Sequence, residues 1–130
     1  MEFLKYEDAD VNTMLENMSP EELDDLPYGV IKLDRQGVIL QYNTTEGLIT
    51  GRVADEVIGK NFFTEVAPCT NTPEFYGKFV EGFENKFLNT VFHYVFDYKM
   101  KPVSVKVHMV LAKYVEEYHM WVMVKRILSR

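Results

Sequence analysis

The spacing of hydrophobic positions at the start of the chain predicts two short helices. The first rests on apolar residues at helical intervals, Val11, Met14, Leu15 and Met18. The second begins in the segment Ser19-Pro20-Glu21-Glu22. Ser19 can cap this helix, proline suits its first position, and Glu22 can complete a capping box. We therefore expect a helical N-terminal cap within residues 1–28.

A β-hairpin and a helical region are predicted after this cap. Gly29–Leu33 and Val38–Tyr42 have the composition of strands, and the intervening Asp34–Gly37 has that of a turn. Asn43–Thr50 is short and polar and is expected to be helical, whereas Asn61–Thr70 is expected to be irregular.

A longer amphipathic helix is predicted to begin at Pro73, with Thr72 as its cap. Its apolar stripe recurs every four residues, at Phe75, Phe79, Phe83 and Phe87, and is widened by Tyr76 and Val80. We expect this stripe to face the core.

Three further strands are predicted over Asn89–Tyr98, Val103–Leu111 and Tyr118–Ile127. Strands at both ends of a helical middle indicate an α+β fold with one antiparallel sheet. Because these strands are partly apolar on both faces, the helical middle can cover one face and the N-terminal cap the other. We expect one domain over residues 1–130, with its core over residues 29–127.

Composition and charge narrow the function classes. The chain has 130 residues, of which 47% are hydrophobic, enough for one compact domain. The formal net charge is -6 and no cluster of lysine and arginine stands out, which argues against nucleic-acid binding. Neither a membrane span nor a signal peptide is recognisable. We expect a cytoplasmic monomer that does not bind membranes.

The single cysteine, Cys69, has two possible roles. A lone cysteine is most often a small buried hydrophobic residue. Cys69 also lies shortly before the helix expected at Pro73, and proximity to a helix N-terminus can favour the reactive thiolate. The residues around it leave both roles open.

Other polar residues have ordinary roles as well as functional ones. Tyr42 and Glu46 are four apart, so a helical turn would place both side chains on one side. They could equally be a core tyrosine and a solvated glutamate, and Arg52 could be a surface cation. The histidines, His93 and His108 on strands and His119 in or near a loop, have no metal-ligand spacing and are expected to be hydrogen-bonded or exposed.

Taken together, several segments carry a family resemblance. They are Ile39–Asn43, Glu46–Gly47, Ile49–Arg52, Val57–Phe63, Val66–Thr70, Pro73–Phe79, Phe96–Tyr98 and Val105–Met109. In this order they closely resemble the photoactive yellow protein family, the xanthopsins, from about Gly29 to Ile127. The resemblance implies a PAS fold, with a central five-stranded antiparallel sheet flanked by short helices.

The resemblance also implies a site and a function. By analogy with the family, Cys69 carries p-coumaric acid (4-hydroxycinnamic acid) as a thioester, and Tyr42 and Glu46 hold its phenolate oxygen. Thr50 would support Tyr42, and Arg52 would cover the pocket mouth. The implied lining residues are Phe62, Phe96, Tyr98 and Met100. The chain is thus expected to be a blue-light photoreceptor and not an enzyme.

A mechanism follows from that implied site. Burial and an adjacent phenolate both disfavour the charged form of Glu46, so we expect Glu46 to be protonated and to donate a hydrogen bond. Light is expected to isomerise the chromophore from trans to cis, after which Glu46 gives up its proton. The remaining buried carboxylate would favour partial unfolding, with the N-terminal helices as the candidate segment.

The sequence departs from the family pattern in several places. Thr44-Thr45 replaces smaller residues, Leu48 stands where a polar residue is usual, and the loop from about Ala112 to His119 looks longer.

The main alternative is a PAS sensor module that binds haem, a flavin or only a partner protein. A cysteine-dependent enzyme would need a histidine base beside Cys69. With no kinase or cyclase domain recognised, output is expected to pass to a separate signalling protein.

Overall fold

A five-stranded antiparallel sheet forms the centre of the molecule. The computed structural model describes residues 11–127, so the predicted cap residues 1–10 lie outside the described part. The strands are β1 (Gly29–Leu33), β2 (Ile39–Tyr42), β3 (Asn89–Phe96), β4 (Val103–Tyr114) and β5 (Glu117–Arg126). Their order across the sheet is β2-β1-β5-β4-β3. The predicted hairpin and the single antiparallel sheet are both confirmed.

The helices lie before the sheet and between its two halves. They are α1 (Val11–Glu16), α2 (Pro20–Asp24), α3 (Thr44–Thr50), α4 (Ala54–Val57) and α5 (Tyr76–Asn85). The predicted capping box of α2 is confirmed. Ser19 Oγ accepts a hydrogen bond of 3.1 Å from the Glu22 amide, and Glu22 Oε1 accepts one of 2.8 Å from the Ser19 amide. Within residues 11–127, no helix is long and apolar enough to cross a bilayer.

Two separate apolar cores confirm that both faces of the sheet are covered. The inner core lies beneath the helical middle and includes Phe62, Phe75, Phe79, Val107 and Val122. The outer core joins α1 and α2 to the other face through Leu15, Leu23, Val30, Trp121 and Met123. Alternate residues of the central strands contribute to the two cores, because successive side chains of a strand point to opposite faces.

The segment expected to be irregular contains two short helical turns instead. Phe62–Val66 forms a π-helical turn and Pro68–Thr70 a 3₁₀ turn. Asn61 Oδ1 accepts hydrogen bonds from the amides of Phe63, at 2.9 Å, and Thr64, at 3.1 Å. Turns this short have no hydrophobic period to read, so the sequence pattern missed them.

Helix α5 begins later and ends earlier than its phenylalanine stripe suggested. It starts at Tyr76, and the Thr72 hydroxyl bonds to the hydroxyl of Tyr94 at 2.8 Å instead of capping the helix. Phe75, Phe79 and Phe83 are buried as expected. Phe87 is 71% exposed, because the helix ends at Asn85 and Lys86 takes a left-handed conformation.

Strand boundaries also differ from the predictions. Strand β3 ends at Phe96 and leaves Tyr98 in the connection to β4. The expected loop before His119 is largely a hairpin, in which Ala112 pairs with His119 and Lys113 with Tyr118. His119 is therefore a buried residue of β5, close to the turn that joins β4 and β5.

Candidate functional site

One pocket on the inner side of the sheet brings together all the site residues named from the sequence. It is lined by Tyr42, Glu46, Thr50, Arg52, Phe62, Val66, Ala67, Cys69, Phe96, Tyr98 and Met100. Its empty space is about 260 Å³, part of it open to solvent. Val66 and Ala67 had not been predicted as lining residues, although they stand directly before Pro68-Cys69 in the same sequence segment.

The Asn43 side chain positions Tyr42 and Glu46. Its Oδ1 caps α3 by accepting a hydrogen bond of 3.0 Å from the Glu46 amide, and it accepts another of 2.9 Å from Val30 on β1. Tyr42 is the last residue of β2, and Glu46 lies in the first turn of α3. The strand-to-helix junction therefore directs both side chains into the pocket. Sequence reasoning had not singled out Asn43, a common capping residue type.

Glu46 fits beside the sheet because residue 29 has no side chain. A Cβ atom on Gly29 would collide with Glu46 Oε1 and would lie 3.1 Å from the Glu46 Cα. Gly29 is the first residue of β1, so this close approach seats α3 directly against the strand. The sequence alone did not reveal this role.

The carboxyl group of Glu46 is buried, lacks a hydrogen-bond partner among the described residues and has a raised pKa. Glu46 is 1% exposed, and neither carboxyl oxygen has a hydrogen-bond partner among the described residues. Burial raises the pKa of Glu46 to about 8, against a smaller lowering effect of Arg52. The neutral acid therefore predominates near neutral pH. A buried polar group without a partner is rare, which points to a ligand atom at this position.

Tyr42 and Thr50 form a second polar group in the pocket. Their hydroxyl oxygens are 2.6 Å apart, and Thr50 Oγ1 donates a hydrogen bond of 3.0 Å to the Glu46 carbonyl. Because Thr50 has one hydroxyl proton, Tyr42 is then the donor between the two. Burial, and then the nearby Glu46 carboxyl, raise the pKa of Tyr42, so Tyr42 keeps its proton and can serve as a donor.

Arg52 lines the pocket and bonds to two segments of its wall. Its guanidinium donates to the carbonyl oxygens of Thr50 at 3.1 Å and Tyr98 at 2.7 Å. Gly51, with φ of 79°, ends α3 and lets the chain turn sharply before Arg52. These contacts join the end of α3 to the β3–β4 connection, and Arg52 has no carboxylate partner within the described chain.

Cys69 lies on the 3₁₀ turn and is held through its backbone. The Tyr94 hydroxyl donates a hydrogen bond of 2.6 Å to the Cys69 carbonyl, and Thr70 Oγ1 donates one of 2.7 Å to the Ala67 carbonyl. Helix α5 begins at Tyr76 and not at Pro73, so Cys69 lies farther from the start of this helix than the sequence predicted. Tyr94 was missed because the sequence presented it as one member of an aromatic strand face.

The histidines lie away from Cys69. His93 is exposed, and buried His108 has its Nε2 2.8 Å from Asn89 Oδ1. Burial lowers the pKa of His108 to about 4, with Lys106 as a smaller cause. His119 contacts Glu16 on the outer face of the sheet. The described lining of the pocket thus contains no histidine that could activate the thiol.

Comparison with known proteins places this chain in a family. The sequence model of the PAS fold matches residues 9–127. The photoactive yellow protein of Rhodothalassium salexigens is 49% identical over 127 residues, which cover 98% of this chain and 100% of that protein. The chain belongs to the photoactive yellow protein family. The relative from Halochromatium salexigens is 50% identical over the same extent.

Solved structures agree with this family membership. The photoactive yellow protein domain of the sensor histidine kinase Ppr from Rhodospirillum centenum has a TM-score of 0.81 and 43% identity, over 88% of this chain and 99% of that one. The PAS fold expected from the sequence is thereby confirmed. Membership of the photoactive yellow protein family makes this chain a PAS photoreceptor.

Proposed function

We propose that this chain is a non-enzymatic blue-light receptor that carries p-coumaric acid as a thioester on Cys69. The observation that carries the proposal is the neutral, partnerless carboxyl of Glu46 in the pocket that Cys69 lines. When bound, p-coumaric acid supplies a phenolic oxygen, absorption of blue light and a double bond that light can convert from trans to cis.

The pocket residues suit an anionic oxygen. Glu46 Oε can donate one hydrogen bond in its neutral form, and the Tyr42 hydroxyl can donate a second. Since Tyr42 has one proton, turning it toward the pocket requires Thr50 to donate to Tyr42 and release the Glu46 carbonyl. Two such donors offset the cost of holding a negative charge beside the buried side chains of the pocket.

Loss of the Glu46 proton would disturb the N-terminal cap. The resulting carboxylate would be a buried charge, and the described residues offer its oxygens no hydrogen-bond donor. Helix α3 is tied to the cap because Asn43 Nδ2 donates to the Leu23 carbonyl at 2.7 Å and the Thr44 amide donates to Asp24 Oδ1 at 2.8 Å. Movement of α3 therefore loosens the end of α2, which supports signalling by partial unfolding.

The test is reconstitution of the purified chain with an activated p-coumaric acid. We expect a mass increase of one acyl group and a blue absorption band that bleaches reversibly under blue light. Cys69→Ala is the matched variant and should show neither. If intact Cys69 gives no adduct, the alternative function, a PAS ligand-binding or protein-interaction module without this chromophore, is favoured.

The output of the receptor is also a proposal. We propose a cytoplasmic monomer that signals to a separate protein. In the Rhodospirillum centenum relative the corresponding domain belongs to a sensor histidine kinase. Cross-linking of the loaded chain in light and in darkness, in a lysate of the host, tests for a partner whose binding changes with light.

A further inference from the structure

Glu16, the last residue of α1, has three polar partners on the sheet. Its Oε1 lies 3.2 Å from Lys32 Nζ. Its Oε2 accepts a hydrogen bond of 2.8 Å from Trp121 Nε1 and lies 3.0 Å from His119 Nδ1. The Glu16 side chain is 4% exposed. We refer to Glu16, Lys32, His119 and Trp121 as the Glu16 cluster.

The Glu16 cluster lies on the outer face of the sheet, opposite the chromophore pocket. Its partners belong to the adjacent central strands β1 and β5, where Lys32 pairs with Trp121. The Lys32 ammonium lies 5.3 Å from the centre of the Trp121 ring. His119 Nε2 also lies 3.3 Å from Oε1 of exposed Glu117. The partners of Glu16 are thus fixed by the most central strands of the fold.

Two sets of contacts attach the N-terminal helices, and they differ in what they touch. The end of α2 is joined to α3 through Asn43 and Thr44, and Thr45 Oγ1 donates a hydrogen bond of 2.7 Å to the Leu26 carbonyl. This first set of contacts therefore involves α3, the helix that also carries Glu46. Helix α1 is joined to the sheet by Glu16 and by fully buried Leu15. No member of the Glu16 cluster belongs to α3.

We propose that the Glu16 cluster is a latch that holds α1 on the sheet independently of the pocket. The latch limits how far unfolding that begins at α3 spreads along the N-terminal segment. In darkness the latch is expected to hold α1 on the sheet even in the chromophore-free chain. Its role in light rests on the proposed function.

The physical basis is a buried charge with matched partners. Hydrogen bonds and ion pairs to a buried carboxylate are stronger than neutral ones, and they are lost together when α1 leaves the sheet. Glu16→Gln keeps the size of the side chain and an acceptor for Trp121. It removes the ion pair with Lys32 and the charge that strengthens the contact with His119 Nδ1, so α1 should open more often.

The dark experiment uses the whole chromophore-free chain and two readouts. Backbone hydrogen exchange reports the opening of residues 11–16, and fluorescence reports the latch because Trp121 is the single tryptophan. In Glu16→Gln we expect roughly tenfold faster exchange in α1, together with stronger acrylamide quenching of Trp121. Glu21→Gln, the same charge change at an exposed position of α2, should change neither.

Two dark outcomes would overturn the latch. One is exchange and quenching in Glu16→Gln that match Glu21→Gln. The other is an equal increase of exchange in β4 and β5, because Glu16 would then support the whole fold and not the docking of one helix.

The light experiment repeats the exchange measurement on chromophore-loaded protein. In wild type we expect the light-induced increase in hydrogen exchange to stay close to α3. In Glu16→Gln we expect this increase to reach α1 as well. Equal spreading in both would overturn the role of the latch in light. An absence of bleaching in both proteins, with the dark result intact, would instead contradict the proposed photoreceptor chemistry and leave the dark latch supported.

Discussion

The Tyr94 hydroxyl donates a hydrogen bond of 2.6 Å to the carbonyl oxygen of Cys69. Since a tyrosine has one hydroxyl proton, Thr72 must donate the second bond of this group, at 2.8 Å. Through Tyr94, strand β3 thereby holds the chain at the proposed attachment residue and three residues after it.

Replacing Tyr94 by phenylalanine should loosen the Cys69 turn. Tyr94→Phe removes both hydrogen bonds and should lower the free energy of unfolding by about 1 to 2 kcal/mol. It should also speed alkylation of Cys69 by a small thiol reagent. Urea unfolding and mass spectrometry measure the two effects. Tyr76→Phe, at a more exposed tyrosine, is the control, and equal alkylation rates in the two variants would contradict the prediction.

The protonation of Glu46 predicts how stability depends on pH. Burial raises the pKa of Glu46 from 4.5 to about 8, so between these values the folded chain holds a proton that the unfolded chain has released. The stability of the chromophore-free chain should therefore fall, by several kcal/mol, as the pH rises through this range, and this contribution should not change further above it. Urea unfolding at a series of pH values measures the slope.

Glu46→Gln is the matched variant for this pH dependence. Its side chain has the same shape and no titrating proton, so the part of the slope due to Glu46 should disappear. An identical slope in the variant would show that other groups cause the pH dependence.

The charge of Arg52 should hold the pKa of Glu46 below the value that burial alone would give. Arg52→Gln should therefore raise the pKa of Glu46 further, whereas Arg52→Lys keeps the charge and should have a smaller effect. Carbon NMR of labelled glutamate side chains follows the titration directly. The prediction is wrong if both variants give the wild-type value.

The close contact of Gly29 with Glu46 predicts a coupled pair of substitutions. Gly29→Ala should destabilise the chain by about 1 to 3 kcal/mol, because the added methyl group displaces the Glu46 carboxyl. In a Glu46→Ala background the same substitution should cost less, since the obstructing carboxyl group is gone. Urea unfolding of the four proteins gives the coupling, and additive effects would contradict the proposed contact.

Local sequence patterns determined most of the architecture. The capping box at Ser19, the hairpin around Gly37 and the alternating apolar positions of β3 to β5 each depend on a few neighbouring residues, and the structure has them near the predicted positions. The two-faced burial of the sheet also followed, because a strand apolar on both faces needs a cover on both. Boundaries were less certain, as the exposed Phe87 shows, because helix ends depend on local backbone geometry that periodicity does not encode.

For the site, too, the sequence determined one part and the tertiary structure another. Position and spacing singled out Cys69, Tyr42 and Glu46 as candidates but left their roles open, and only the family resemblance predicted those roles. Tertiary structure decided that Glu46 is buried without a hydrogen-bond partner, that Gly29 makes room for it, and that Tyr94 holds Cys69. It also decided that Glu16 meets Lys32, His119 and Trp121. These contacts join residues far apart in the chain, and a side chain's solvation and partners are set by what the fold places beside it.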